Sequence, residues 1–171
     1  MSFTLHHASV GLVSDALNTL LSVVDKSEHN PSIASASIIG DMKPFSFQVH
    51  TATDIAQKMV ARLTGTEPGS YEDNLADFSA MKTRINEVLA ILAAANKATV
   101  DAKADEDVAF PMGGSGKEAK VKGWMYVTGF AVPNIFFHVV TAYDIARKEG
   151  VPLGKLDYLT PFALKYLEGQ M

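Results

Sequence analysis

Apolar positions recur along most of this chain at spacings of three and four, the period of one helix face. Val13, Leu17, Leu20, Leu21 and Val24 share one side of the first such run, which predicts a helix from about Thr4 to Asp25. Asn30-Pro31 stops it, because proline has no amide hydrogen and disfavours helical geometry in the residue before it. Ser32 to Gly40 is small and polar enough to be a connector. Val49, Ala52, Ala56, Met59 and Leu63 step by 3, 4, 3 and 4, the seam of packed helices. They predict a second helix starting near Pro44, capped by Asp41 and ended by Gly65 in a left-handed turn. Leu75, Phe78, Met81, Ile85, Val88, Leu89 and Leu92 mark the buried side of a third helix, expected to start within a few residues of Tyr71.

Residues 99–123 break that period. Val108, Phe110 and Met112 alternate, Gly113-Gly114-Ser115-Gly116 supplies a turn, and Ala119 and Val121 alternate again, as a short β-hairpin does. Lys97 to Asp107 reads as a solvated loop. A fourth long helix follows from about Pro133 to Lys148, ended by Gly150 and Pro152. Thr160 to Glu168 reads as a terminal helix with Thr160 as cap and Pro161 at its first position. The expected fold is all-α: one domain over residues 1–171, a four-helix bundle with a small β-hairpin between the third and fourth long helices and a short C-terminal helix.

Composition narrows the chemistry. With 15 Lys plus Arg against 19 Asp plus Glu, the net charge is 15 − 19 = −4, and no basic cluster offers a nucleic-acid surface. The absence of cysteine excludes Cys-ligated zinc, iron–sulfur clusters and thiol nucleophiles of the protein's own. Ser14, Asp15, Asn18 and Thr19 interrupt the first apolar segment, and no stretch reaches about 18 uninterrupted apolar residues. Gly169-Gln170-Met171 matches no address signal. A cytoplasmic protein with no membrane association is expected. Gly113 to Lys117 is not a phosphate loop, because Glu118 follows Lys117 and a strand follows the glycines, so it reads as a flexible hairpin tip.

A bundle carries function on polar residues that share its apolar seams. On the fourth helix, Ile135, Val139, Ala142, Ile145 and Ala146 define the stripe, and His138 falls inside it. Asn134 and Thr141, four before and three after His138, lie within its reach. On the second helix Gln48 sits near the seam, whereas His50 and Asp54 project to the other side as an i, i+4 surface pair. A slightly different rotation of that helix would exchange Gln48 for His50. Trp124 and Tyr126 are expected to line a pocket at the entry to the fourth helix. His6 and His7 point about 100° apart on a helix, which suits surface positions better than one shared ion. Phe136, Phe137, Val140 and Tyr143 spread apolar surface around the fourth helix beyond its core stripe. A homodimer through this helix or through Trp124–Phe130 is expected.

The segment Val132-Pro133-Asn134-Ile135-Phe136-Phe137-His138-Val139-Val140-Thr141-Ala142-Tyr143-Asp144-Ile145-Ala146-Arg147 and the following Gly150 to Leu159 resemble a known signature. So do Asp41-Met42-Lys43-Pro44-Phe45, Gln48-Val49, Ala52, Asp54, Ala56 and Ser70-Tyr71-Glu72-Asp73. Together they resemble a bacterial and fungal family of unknown function within the DinB-like (YfiT-like) superfamily. The resemblance implies a four-helix bundle, often dimeric. In better-studied relatives it also implies a three-histidine metal site, with one histidine on helix two and an H-x-x-x-H pair on the last main helix. Some of those relatives are metal-dependent thiol transferases or isomerases. Here His138 falls in the motif, but position 142 is Ala142 and the nearest helix-two histidine is His50.

Three functions follow as expectations. The first is a metal-free pocket for a small organic molecule, with His138 as proton donor or acceptor and Gln48, Asn134 and Thr141 orienting it. The second is a zinc- or nickel-dependent group transferase with His138 and His50 among the ligands, joined by His7 or His6. The third is a non-enzymatic dimeric binding or scaffold protein in which His138 only hydrogen-bonds in the core.

Overall fold

The computed structural model describes residues 3–113 and 116–167. A π-helical turn, His7–Gly11, runs directly into α1 (Leu12–Ser27), where Val13, Leu17, Leu20 and Val24 are fully buried and Leu21 is half-buried. Asn30 caps the 3-10 turn Pro31–Ser35, which drives Ile33 into the core. Helix α2 (Phe45–Thr64) buries Val49, Ala52, Ala56, Met59 and Leu63 and ends at Gly65 with φ 74°, as its seam and glycine predict. Its start differs from expectation: Pro44 occupies the N-cap position itself, and no side chain, Asp41 included, caps the helix.

Helix α3 (Phe78–Ala94) begins later than the apolar spacing suggests, with Asp77 Oδ1 accepting from the Ala80 amide at 2.8 Å. The cause lies in α2. Gln57 brackets Gly69 from both sides, its Oε1 accepting from the Gly69 amide at 3.1 Å and its Nε2 donating to the Gly69 carbonyl at 2.7 Å. That clamp holds the chain along α2, so a helix begins only where Asp77 supplies a cap. Leu75 is buried from the loop rather than from a helix.

Lys97–Ala102 forms a short helix, α4, rather than a solvated loop. Asn96 caps it, Val100 is fully buried, and Asp101 Oδ1 accepts from the His6 amide at 2.8 Å. Strands β1 (Asp107–Pro111) and β2 (Glu118–Lys122) pair antiparallel with Asp107 opposite Lys122, and Val108 and Phe110 point into the core. Met112, expected to continue that alternation inward, is 54% exposed. The hairpin tip read from the glycines falls partly on Gly114 and Ser115, outside the described residues.

The fourth long helix starts ten residues before Pro133. Helix α5 (Gly123–Tyr126), a π-helical turn Val127–Ala131 and α6 (Val132–Lys148) form one continuous run. The π turn resets the hydrogen-bond register just ahead of Pro133, so the residue without an amide hydrogen falls at the first turn of α6. Helix α7 (Lys155–Leu167) also starts early. Pro161 lies inside it, and Thr160 Oγ1 donates back to the Leu156 carbonyl at 2.7 Å rather than capping. The predicted end of that helix at Glu168, and Gly169 to Met171, fall outside the described residues.

The four long helices close a ring in which α1 and α2 each pack against both α3 and α6, so α1 faces α2 diagonally across the core. Helix α7 lies outside against α1, tied by Thr19 Oγ1 donating to the Tyr158 carbonyl at 2.8 Å and by ion pairs Lys26–Asp157 and Lys165–Asp15. His7–Ser27 and Gly123–Lys148 are long and apolar enough, by length and composition, to cross a membrane. In this fold both are bundle helices that turn apolar faces to the shared core.

Candidate functional site

Helix α2 packs more extensively against α6 than against any other element, and that contact sets Gln48 opposite His138. Gln48 lies in the first turn of α2, where its Nε2 donates to the Lys43 carbonyl at 2.9 Å. Its Oε1 stands 2.7 Å from His138 Nδ1. Both residues are nearly closed to solvent, at 2% and 9% exposure. Burial pushes the His138 imidazole down from its ordinary 6.5 to about 4, so it is neutral near pH 7.

Two aromatic rings flank the imidazole edge-on, Phe47 with a centroid separation of 6.2 Å and Phe137 at 5.2 Å. Phe137 is 57% exposed, which puts this group at the rim of the bundle rather than deep inside it. Lys43 carries its ammonium 5.5 Å from the Phe47 ring centroid.

The other expected members stand apart. Thr141 is buried, but its Oγ1 donates to the Phe137 carbonyl at 2.7 Å, so its own helix satisfies it. Asn134 is half-buried, and among the described residues no hydrogen bond joins it to His138. Tyr126 and Trp124 sit 12 and 14 residues before His138 on the same helical run, about 18 and 21 Å along its axis. Tyr126 is fully buried there, its ring 5.0 Å from that of Phe110 and its hydroxyl 3.2 Å from Arg62 Nη1, while Trp124 is 46% exposed. The sequence places them at a pocket at the entry to the fourth helix; the earlier start of that helical run sets them at the hairpin end, apart from His138.

His50 is not the surface partner of Asp54. Asp54 pairs with Lys58 at 2.5 Å and accepts from Gln57 Nε2 at 3.3 Å, while His50 Nδ1 is buried without a partner. His7 Nδ1 lies 3.0 Å from Thr4 Oγ1, and His6 is held by its amide to Asp101. Among the described residues, no three His, Asp or Glu side chains gather where one metal ion could bind them. The donors around His138 are a neutral amide and carbonyls, which do not fit a zinc or nickel centre.

Sequence reasoning missed the apolar cleft of about 400 Å³ under the hairpin, lined by Phe110, Met112, Val121, Met125 and Phe130 among others. Its walls come from both strands of the hairpin and from the helical extension before Pro133, and only the hairpin was visible in the spacing.

The ring of four long helices with a small hairpin is the architecture of a DinB-like helical bundle. The chain belongs to a family described as a domain of unknown function (DUF1993), whose model matches residues 5–159. It is similar to the crystal structure of a DinB family member protein from Shewanella denitrificans, with 29% identity, a TM-score of 0.80 and coverage of 91% of each chain. No curated protein matches it.

Proposed function

We propose that this protein is a cytoplasmic, homodimeric bundle that binds a small organic molecule at His138 and moves one of its protons. The observation that carries this reading is a neutral, nearly buried imidazole that engages the protein through one nitrogen only, Nδ1. The other nitrogen, Nε2, makes no hydrogen bond among the described residues and is the atom left for a ligand. A depressed basicity limits Nε2 to protons that are already acidic, such as an enol O–H or a C–H held between two carbonyls. Returning the proton to another atom of the same molecule gives an isomerisation, and returning it to a leaving group gives an elimination. Neither needs an oxidant, a reductant or a co-reactant.

The test is a melting-temperature screen of the purified protein against small carbonyl and hydroxyl metabolites, repeated with His138→Ala. A compound that raises Tm by several degrees in the wild type and not in the variant is the expected result. Stabilisation that survives His138→Ala would remove His138 from the site. Stoichiometric zinc or nickel by plasma mass spectrometry, lost in that variant, would replace this reading with the metal-dependent transferase.

The dimer is favoured by a separate observation. The exposed residues of the helical run from Trp124 to Val140 are Trp124, Met125, Thr128, Gly129, Pro133, Phe137 and Val140, and none is charged. That face is about 25 Å long, and a second copy of the same face covers it without burying a charge. Light scattering at micromolar concentration is expected to give twice the chain mass, falling to one in Phe137→Glu/Val140→Glu. A single-chain mass for the wild type would overturn it.

A further inference from the structure

The two hydrogen bonds of Gln48 carry more information than their lengths. A backbone carbonyl can only accept, so the Gln48 atom 2.9 Å from the Lys43 oxygen is the amide nitrogen. The atom turned to His138 is therefore the amide oxygen, also an acceptor only. A neutral imidazole carries one hydrogen, and at 2.7 Å from an acceptor it sits on Nδ1. We propose that Gln48 is a positioning residue that locks His138 in its Nδ1-protonated tautomer, with the Lys43 carbonyl fixing the amide so that the Nε2 lone pair is the atom presented to a ligand.

The lock reaches beyond one side chain. Lys43 precedes α2, Gln48 is in its first turn and His138 lies within α6, so the start of one helix sets the reactive face of a residue on another. Moving the proton to Nε2 would place two acceptors, the bare Nδ1 and the Gln48 oxygen, against each other, and flipping the ring would put its Cδ2 carbon there instead. Flipping the amide as well would set its oxygen against that of Lys43. Each alternative leaves a buried polar group opposed or unpaired, which the observed arrangement avoids.

This inference deepens the reading of His138 as a proton acceptor, but its test does not require a substrate. Nitrogen-15 NMR at neutral pH separates a protonated ring nitrogen from a bare one, with His138→Gln used to assign the signals. In the wild type, His138 should show a protonated Nδ1 and an unprotonated Nε2. In Gln48→Leu, which fills similar space without an acceptor, the proton should move to Nε2 in most molecules. An Nε2-protonated wild type, or an unchanged tautomer in Gln48→Leu, would overturn the lock. Survival of ligand-induced stabilisation in His138→Ala would instead remove the functional reading while leaving the tautomer result standing.

Discussion

Gly123→Ala is expected to cost about 3–5 kcal/mol of stability, the largest effect of a methyl added at any of the described glycines. A Cβ at Gly123 would lie 2.2 Å from the Lys103 carbonyl oxygen and 3.0 Å from its carbon. Neither is the free end of a side chain. The approach is this close because the turn after α4 docks on the start of the fourth helical run. The Gly123 amide donates to the Glu106 carbonyl at 2.9 Å and the Trp124 amide to the Ala104 carbonyl at 3.1 Å. Making room for a methyl separates those pairs, so overpacking of about 1–3 kcal/mol adds to the loss of two hydrogen bonds at about 1 kcal/mol each. Gly40, in the connector before α2, is the control. A Cβ there meets nothing within 4 Å, so Gly40→Ala should be neutral or stabilise by up to about 1 kcal/mol. Urea unfolding of both variants checks the pair. A Gly123→Ala loss below about 1 kcal/mol would mean the turn can move aside at little cost.

Gly123 also shows why parts of the fold were hidden. Its obstacle is Lys103, twenty positions earlier, and no local pattern reports a contact at that separation. The seams of α1, α2 and α3 were legible because each is a run of apolar residues at one period, and burial follows that period directly. Boundaries were less legible wherever something distant overrode local preference. The Gln57 clamp on Gly69 delays α3 to Asp77, and the π turn lets helix continue through Pro133. Pro161 reads as a helix start from sequence, yet α7 runs through it because its N-terminal turn is fixed earlier, by Asp157 Oδ2 accepting from the Gly154 amide at 2.6 Å.

The candidate site divides along the same line. His138 inside the α6 stripe and Gln48 near the α2 seam follow from helix phase, and packing of those two helices brings them to 2.7 Å. Asn134 and Thr141 have the right spacing, but spacing does not say which acceptor a hydroxyl chooses. Thr141 chooses the Phe137 carbonyl, one turn back on its own helix. The pairing of Asp54 with Lys58 rather than His50 is a competition between two i, i+4 neighbours, and the lysine takes the carboxylate.

Acidification supplies the second large effect, and its sign follows from His138. The folded-state imidazole titrates near 4 and the unfolded one at about its ordinary 6.5. Between those values the unfolded chain binds a proton that the folded protein does not, so unfolding becomes easier as pH falls. Above the unfolded value both forms are neutral and the group contributes no slope; below the folded value both are charged and the slope vanishes again. A shift of this size corresponds to about 3 kcal/mol, and solvent at the rim beside Phe137 reduces the expected loss to about 2 kcal/mol between about pH 7 and about pH 4.5. Asp101, held near 2 by Lys97 and the His6 amide against its own burial, loses its contribution only at lower pH, as the folded carboxylate protonates. His6, also lowered by burial, acts in the same direction below the ordinary imidazole value, which makes a difference measurement necessary. His138→Asn provides it, because an amide nitrogen at the δ position can still donate to Gln48 Oε1 and carries no titrating group. Urea unfolding of both proteins across that range should show the wild type losing about 2 kcal/mol more than His138→Asn. Parallel curves would mean that His138 titrates normally in the folded protein, and with that the depressed basicity on which the proposed choice of proton rests would be gone.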